Sequence, residues 1–215
     1  MNHLVAHGGP ANAASSTNWS GYAAASGTYK SVSATWNEPT GTCSGSAKYS
    51  SFWVGLDGFS SRTVEQTGSE VDCQGGSPRY FAWFERFPAF PVNFSNTVRP
   101  GDHFTASVTH TSGNSYTLVI KDTTQGWTHT EHKSLASAKN SSAEVIAEAP
   151  STSSGVLPLA DFGKVHFTSS KVNGKPMSNA SPTKITMVNG GGRAKDSVSG
   201  LTGGGNFTVT WKHST

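Results

Sequence analysis

Phe52-Trp53-Val54-Gly55-Leu56-Asp57 alternates with a period of two, so Phe52, Val54 and Leu56 fall on one face of an extended chain and Trp53, Gly55 and Asp57 on the other. The first set is ordinary core. The second combines an indole, a gap and a carboxylate, which suits the floor of a binding groove better than plain core or plain solvent. The mixture recurs downstream. Over Tyr80 to Phe87, Trp83, Glu85 and Phe87 share a face, opposite Phe84 and Arg86; over Ala143 to Ala149, Glu144, Ile146 and Glu148 share one, opposite Val145 and Ala147. A single Trp on a strand usually packs and a single acid usually faces water, and alternation alone leaves a groove and an ordinary packed sheet equally open.

Short alternating segments separated by turn clusters run along the chain: Thr28 to Trp36, Tyr49 to Asp57, Thr63 to Thr67, Arg79 to Phe87, His103 to His110, Ser115 to Asp122, Ala143 to Ala149, Lys164 to Val172, Thr183 to Val188 and Phe207 to Lys212. None carries a convincing helical period, which predicts an all-β fold, an antiparallel β-sandwich or barrel. The 215 residues are only 13% charged yet 34% hydrophobic, with 24 Gly and six Trp; that is enough apolar matter for a core and argues against disorder. Residues 17–215 are read as one domain. Residues 1–16, rich in Ala, Asn, Gly and His without periodicity, are read as a flexible N-terminal arm.

A net charge of +3 and a pI near 8.9, with the basic residues scattered, give no grip for a phosphate backbone, so nucleic acid is not an expected partner. No apolar stretch has the length to cross a bilayer, and Met1 to Pro10 lack the apolar run of a signal peptide. Cys43 and Cys73 flank the segments carrying Trp53 and Gln66, as a bridge or as two buried thiols; a bridge would be worth about 3.6 kcal/mol of unfolded-chain entropy and would favour an oxidising compartment.

Several chemistries are missing from the sequence. Paired cysteines leave no thiol nucleophile. Gly-x-Ser-x-Gly, His-Glu-x-x-His and the Asp-Thr-Gly or Asp-Ser-Gly of aspartic peptidases do not occur. His129, Glu131 and His132 fit no ligand set on one strand face and are read as a solvated loop, so no metal is expected. Gly190 to Gly192 and Gly203 to Gly205 open no helix after a strand and are read as turns rather than phosphate cradles. Glu65-Gln66-Thr67-Gly68 does occur, an aspartic-type turn with an amide in place of the acid.

Asn18-Trp19-Ser20-Gly21-Tyr22, Trp53-Val54-Gly55-Leu56-Asp57-Gly58, Gln66-Thr67-Gly68, Tyr80-Phe81-Ala82-Trp83-Phe84-Glu85-Arg86-Phe87-Pro88, Ala143-Glu144-Val145-Ile146-Ala147-Glu148 and the later Ala160-Asp161-Phe162-Gly163 with Val165-His166-Phe167-Thr168 resemble, in order, the hallmark segments of the glutamic peptidases, or eqolisins. The resemblance runs from Trp19 to the C-terminus. It implies an antiparallel β-sandwich of two large sheets, concanavalin-like, with a concave substrate groove, in a secreted, monomeric endopeptidase made as a proenzyme, acting on protein or peptide substrates without cofactor. It implies catalytic roles for Gln66 and Glu148, with Glu144 a neighbour and not the base, and places Trp19, Trp53, Asp57, Trp83 and Glu85 among the groove residues. Two features depart from the pattern: Val145 stands where an aromatic is common, and the chain is slightly basic where fungal members are strongly acidic.

Two rivals belong to other classes. A glycoside hydrolase would use Glu85 and Glu148 as paired carboxylates across a sugar bond, and a carbohydrate-binding β-sandwich would stack sugars on Trp53 and Trp83 without turnover.

Overall fold

The period-two pattern becomes strand pairing over nearly the whole chain. The structure is a computed structural model and describes residues 13–215 together with the backbone of Leu4–Val5. In chain order the strands are β1 (Leu4–Val5), β2 (Ala13–Ser16), β3 (Trp19–Ala24), β4 (Ser31–Asn37), β5 (Lys48–Leu56), β6 (Val64–Gln74), β7 (Ser77–Phe87), β8 (Val92–Asn93), β9 (His103–Ser112) and β10 (Ser115–Asp122). They continue as β11 (Trp127–Ser134), β12 (Ala143–Glu148), β13 (Ser151–Thr152), β14 (Gly155–Val156), β15 (Lys164–Val172), β16 (Lys175–Pro176), β17 (Thr183–Met187), β18 (Asp196–Val198) and β19 (Phe207–Trp211). One 3₁₀ turn, Met177–Ala180, interrupts them.

Two large sheets result. One has nine strands in the order β1-β2-β17-β3-β12-β5-β6-β7-β8, the other has eight, β11-β10-β9-β4-β15-β19-β18 with β16 paired to β15 off this path, and β13 and β14 form a separate hairpin. Pairing is antiparallel except between β17 and β2. The alternation explains how the sheets face each other: Val32, Ala34 and Trp36 of β4, Tyr116, Leu118 and Ile120 of β10, and Phe52, Val54 and Leu56 of β5 are buried in one continuous core between them. The expected all-β sandwich of two large sheets is therefore the fold.

The far face of the nine-stranded sheet is not plain solvent surface. Trp19, Trp53, Val64, Trp83, Ile146 and Ile185 form a second apolar cluster there, with Phe59, Phe81 and Phe87 packed against it. Close approach at two glycines makes room for it. A Cβ at Gly21 would lie 2.1 Å from the Val145 carbonyl oxygen, and one at Gly68 would lie 2.5 Å from the Trp53 Cβ.

Several expectations need correction. The 1–16 arm falls mostly on residues 1–3 and 6–12, outside the described residues, but Ala13–Ser16 is a strand paired to β17, and Ser16 is buried. Small residues with no alternation hid that pairing. The segment holding His129, Glu131 and His132 is the edge strand β11, not a loop; its Thr, His and Ser residues give no apolar alternation because only one side of it packs. His129 turns to the Asn96 side chain and stacks on Phe94. β6 runs on to Gln74, well past Thr67, because Glu65 to Asp72 carries polar residues on both faces while pairing β5 and β7 along its length. The bridge reading of Cys43 and Cys73 holds: the two are joined.

Candidate active site

Four neighbouring strands, β12, β5, β6 and β7, bring the functional side chains together through their registers. Glu148 pairs with Ser51, which pairs with Glu70; Glu144 pairs with Gly55, then Gln66, then Glu85. All of these side-chain positions fall on the far face of the nine-stranded sheet, since residues two apart on a strand share a face. Gln66 is only 2% exposed, and its Nε2 donates to Glu85 Oε2 at 2.6 Å. Its Oε1 is buried without a hydrogen-bond partner among the described residues. Trp19 Nε1 donates to Glu148 Oε2, and the Trp53 indole meets Trp19 edge to face with 4.9 Å between ring centroids.

A groove of about 480 Å³ opens over these groups, lined by Gln66, Glu85, Glu148, Glu70 and Trp83. Its rim is formed by the β7–β8 loop, Phe87 to Pro91, and by Pro150 to Ser153 at the β13–β14 hairpin. Phe90 on that rim is 91% exposed.

The electrostatics of the groove follow from too many carboxylates in too little water. Burial pushes Glu148 up from 4.5 to about 7, the charge of Glu85 adds to the rise, and the Trp19 N–H partly offsets it. Glu85 is also raised by burial, and the Gln66 amide holds it down in part. Glu70 stands well above its ordinary value through burial, then through Asp72, with smaller contributions from Glu148 and Glu38. A site of this kind holds protons near neutrality and can exchange them with a bound reactant.

The sequence-derived residues do not all meet. Gln66, Glu148, Trp83 and Glu85 line the groove. Trp19 and Trp53 are wholly buried beneath it, where Trp19 holds Glu148 and Trp53 backs Trp19. Asp57 lies elsewhere: at φ 70° just past β5, its carboxylate accepts from the backbone N–H groups of Lys139, Asn140 and Ser141 and from the Ser141 hydroxyl. It anchors the chain entering β12 and lines no part of the groove. Glu144, on the same face as Glu148, is 0% exposed, its two oxygens meet no hydrogen-bond partner within bonding geometry among the described residues, and burial raises it well above its ordinary value.

Glu70 lies beyond the Thr63 to Thr67 segment that alternation marks; extending Gln66 and Gly68 by one more step of two reaches it, because β6 continues to Gln74. Ser51 lies on the alternating segment but is too small and polar to stand out, and the rim loops give no signal, since loops carry no period. Among the described residues no three His, Cys, Asp or Glu side chains converge on a position for a metal ion.

Comparison with known proteins gives a consistent result. The sequence pattern of the peptidase A4 family matches residues 17–211. Aspergillopepsin-2 of Aspergillus niger is 31% identical over 143 residues, 64% of this chain and 50% of that protein. Scytalidopepsin B of Scytalidium lignicola is 32% identical over 202 residues, 86% of this chain and 76% of that one. The chain thus spans half the length of the first relative and about three quarters of the second. Its fold superimposes on the crystal structure of scytalido-glutamic peptidase with a transition state analog inhibitor, with a TM-score of 0.79 at 26% identity, covering 91% of this chain and 98% of that one. Aspergilloglutamic peptidase from Aspergillus niger gives a TM-score of 0.68 at 28% identity, covering 77% and 99%.

Proposed function

This chain belongs to the peptidase A4 family, and from that membership we propose that it is an endopeptidase in which Glu148 activates water and Gln66 stabilises the oxyanion. The observation that carries the assignment is that Glu148 lines the groove together with Gln66, while Glu144, the other acid of its strand, is sealed.

The ionised Glu148 removes a proton from water as the water oxygen bonds to the scissile carbonyl carbon. The Gln66 amide has two N–H donors. One is held by Glu85, which fixes the amide with its NH₂ end toward the groove and leaves the second donor for the developing oxyanion. Glu148 then returns its proton to the leaving nitrogen as the C–N bond breaks. One group serves as base and then as acid, and no net proton is gained or lost by the enzyme. Trp19 keeps the carboxylate oriented. A preorganised donor of the Gln66 kind typically lowers the barrier by about 2.7–4 kcal/mol.

The base works only when ionised. Below about pH 7, where Glu148 titrates, its ionised fraction falls about tenfold per pH unit, and above neutrality buried carboxyls elsewhere begin to ionise and weaken the fold. Activity therefore rises with pH toward about 7 and is greatest near neutrality. The Cys43–Cys73 bridge supports secretion, since disulfides persist in oxidising compartments.

The test is digestion of an unfolded protein across the acid and neutral range, with pepstatin present and with a neutral polysaccharide in parallel. Wild type cuts the protein and leaves the polysaccharide intact, and Glu148→Gln cuts neither. Polysaccharide cleavage, or wild-type proteolysis by Glu148→Gln, ends the proposal.

A further inference from the structure

One stretch of the chain departs from the usual burial of apolar side chains. Pro88, Ala89, Phe90, Pro91 and Val92 follow one another, all are apolar and all are exposed. Among the described residues Phe90, at 91%, and Val92, at 47%, are the large hydrophobic side chains left open to solvent. Single exposed apolar residues are ordinary, but a continuous run costs solubility and marks a surface that meets something.

The run stands at the mouth of the groove, where Phe87 to Pro91 form part of the lining together with Trp83, Gln66, Glu85 and Glu148. The strand order β12-β5-β6-β7-β8 sets two walls apart, the β7–β8 loop on one side and the chain leaving β12 on the other. Their chemistry differs. The first wall, Phe87 to Pro91, is apolar throughout, whereas the second offers the hydroxyls of Ser151, Thr152 and Ser153. The apolar wall is also held in place. Pro88 and Pro91 fix two of its backbone torsions, and the Ala89 N–H donates to the Arg86 carbonyl at 2.8 Å. Beyond it, Val92 and Asn93 pair with Phe84 and Trp83 of β7, and the Phe94 N–H donates to the Ala82 carbonyl at 2.8 Å. A wall fixed in this way loses little freedom when a ligand covers it. No polar side chain interrupts the run, so its complement is hydrocarbon rather than a sugar hydroxyl.

We propose that Phe90 is a specificity-determining residue: its ring packs against one large apolar side chain of a peptide lying in the groove, so that substrates carrying such a residue at that place are preferred. The apolar wall stands on the structure alone; that its partner is a peptide rests on the peptidase reading.

The test digests one unfolded protein with wild type, Phe90→Ser and Phe90→Leu and identifies the cut bonds by mass spectrometry. A short peptide is then made with the sequence around the bond that wild type cuts most often, together with copies in which each large apolar residue in turn is replaced by Ala. Wild type prefers the parent over one of these copies by roughly tenfold in kcat/KM, carried by KM, as the loss of one buried ring contact implies. Phe90→Ser loses that preference and keeps those at the other positions, while Phe90→Leu retains most of it. A preference unchanged in Phe90→Ser overturns the proposal. So does a fall in kcat shared equally by the parent and every copy, which is what a disturbed loop produces. Sedimentation checks another occupant: a wild-type dimer that Phe90→Ser dissociates assigns the run to a second copy of the chain and overturns the subsite as well. An exposed ring leaves no cavity when it is removed, and a thermal melt confirms that both variants fold. Loss of the subsite on these grounds leaves the peptidase reading intact, because peptide cleavage is still observed. That reading fails separately, when wild type cuts no protein, and it then takes the subsite with it.

Discussion

Glu144 and Glu148 occupy the same face of the same strand, one helical-looking step of four apart in sequence, and meet opposite surroundings. At the Glu144 end everything is closed: Trp19, Trp53, Val64 and Ile146 bury that stretch, and the nearest ionisable groups are Asp57 and Glu65. At the Glu148 end the cover stops, the groove begins, and the rim is made by two loops. Two identical side chains thus divide the work. The sealed one keeps its proton and acts as filler with a polar tip, while the open one lines the groove. Residue type and strand face were common to both; the difference comes from what covers each position.

The sharpest way to break the comparison is to neutralise each acid in turn. Glu148→Gln should lower kcat by roughly 10²–10⁴-fold, the usual range for a lost general acid or base, whereas Glu144→Gln should leave kcat within a few-fold. Steady-state kinetics on one fluorogenic peptide reads both. Gln66→Ala should cost roughly 10²–10³-fold in kcat with little change in KM, as for other oxyanion donors. Trp19→Phe removes the N–H that lowers Glu148; the rising limb of the kcat/KM profile should then move to higher pH, with a loss at acid pH of roughly tenfold for each unit moved.

The closed regions predict how stability depends on pH. Burial raises Glu65 to about 9, with Asp57 adding to the shift, and raises Glu38 to about 8, with Asp102 and Asp122 contributing. A carboxyl whose folded-state value lies above its unfolded value contributes stability that is complete below the unfolded value. That stability is lost as pH rises from about 4.5 toward the folded value. Thermal midpoints should therefore be highest in acid and fall progressively between about pH 5 and 9, and Glu65→Gln should flatten the decline. The smallest effect belongs to the exposed face of the eight-stranded sheet, where Thr35 lies opposite Thr105. Thr105→Ala there should change stability by less than about 0.5 kcal/mol and leave kcat untouched.

The sequence reveals this fold wherever one face of a strand is apolar. β5, β10 and β15 alternate cleanly and were delimited to within a residue, and β12 overran by only one. β3 and β6 resisted because small or polar residues fill both faces, and β11 because an edge strand packs on one side only. The site was partly legible for the same reason: Trp83 and Glu85 stand out by alternation, but Gln66 and Glu148 were singled out through the family resemblance, and no local pattern separates Glu148 from Glu144. Asp57 misled because alternation extends to it on paper, while the chain turns into a left-handed conformation at that residue and carries its carboxylate to the β12 approach.

The most direct test is to follow the side-chain carboxyl carbons of isotopically labelled glutamates by NMR across pH, in wild type and in Glu148→Gln, alongside the kcat/KM profile of the wild type. A carboxyl titrating near 7, absent from the Glu148→Gln spectrum and matching the rising kinetic limb, is the predicted result. If no resonance lost in Glu148→Gln follows that limb, Glu148 is not the base.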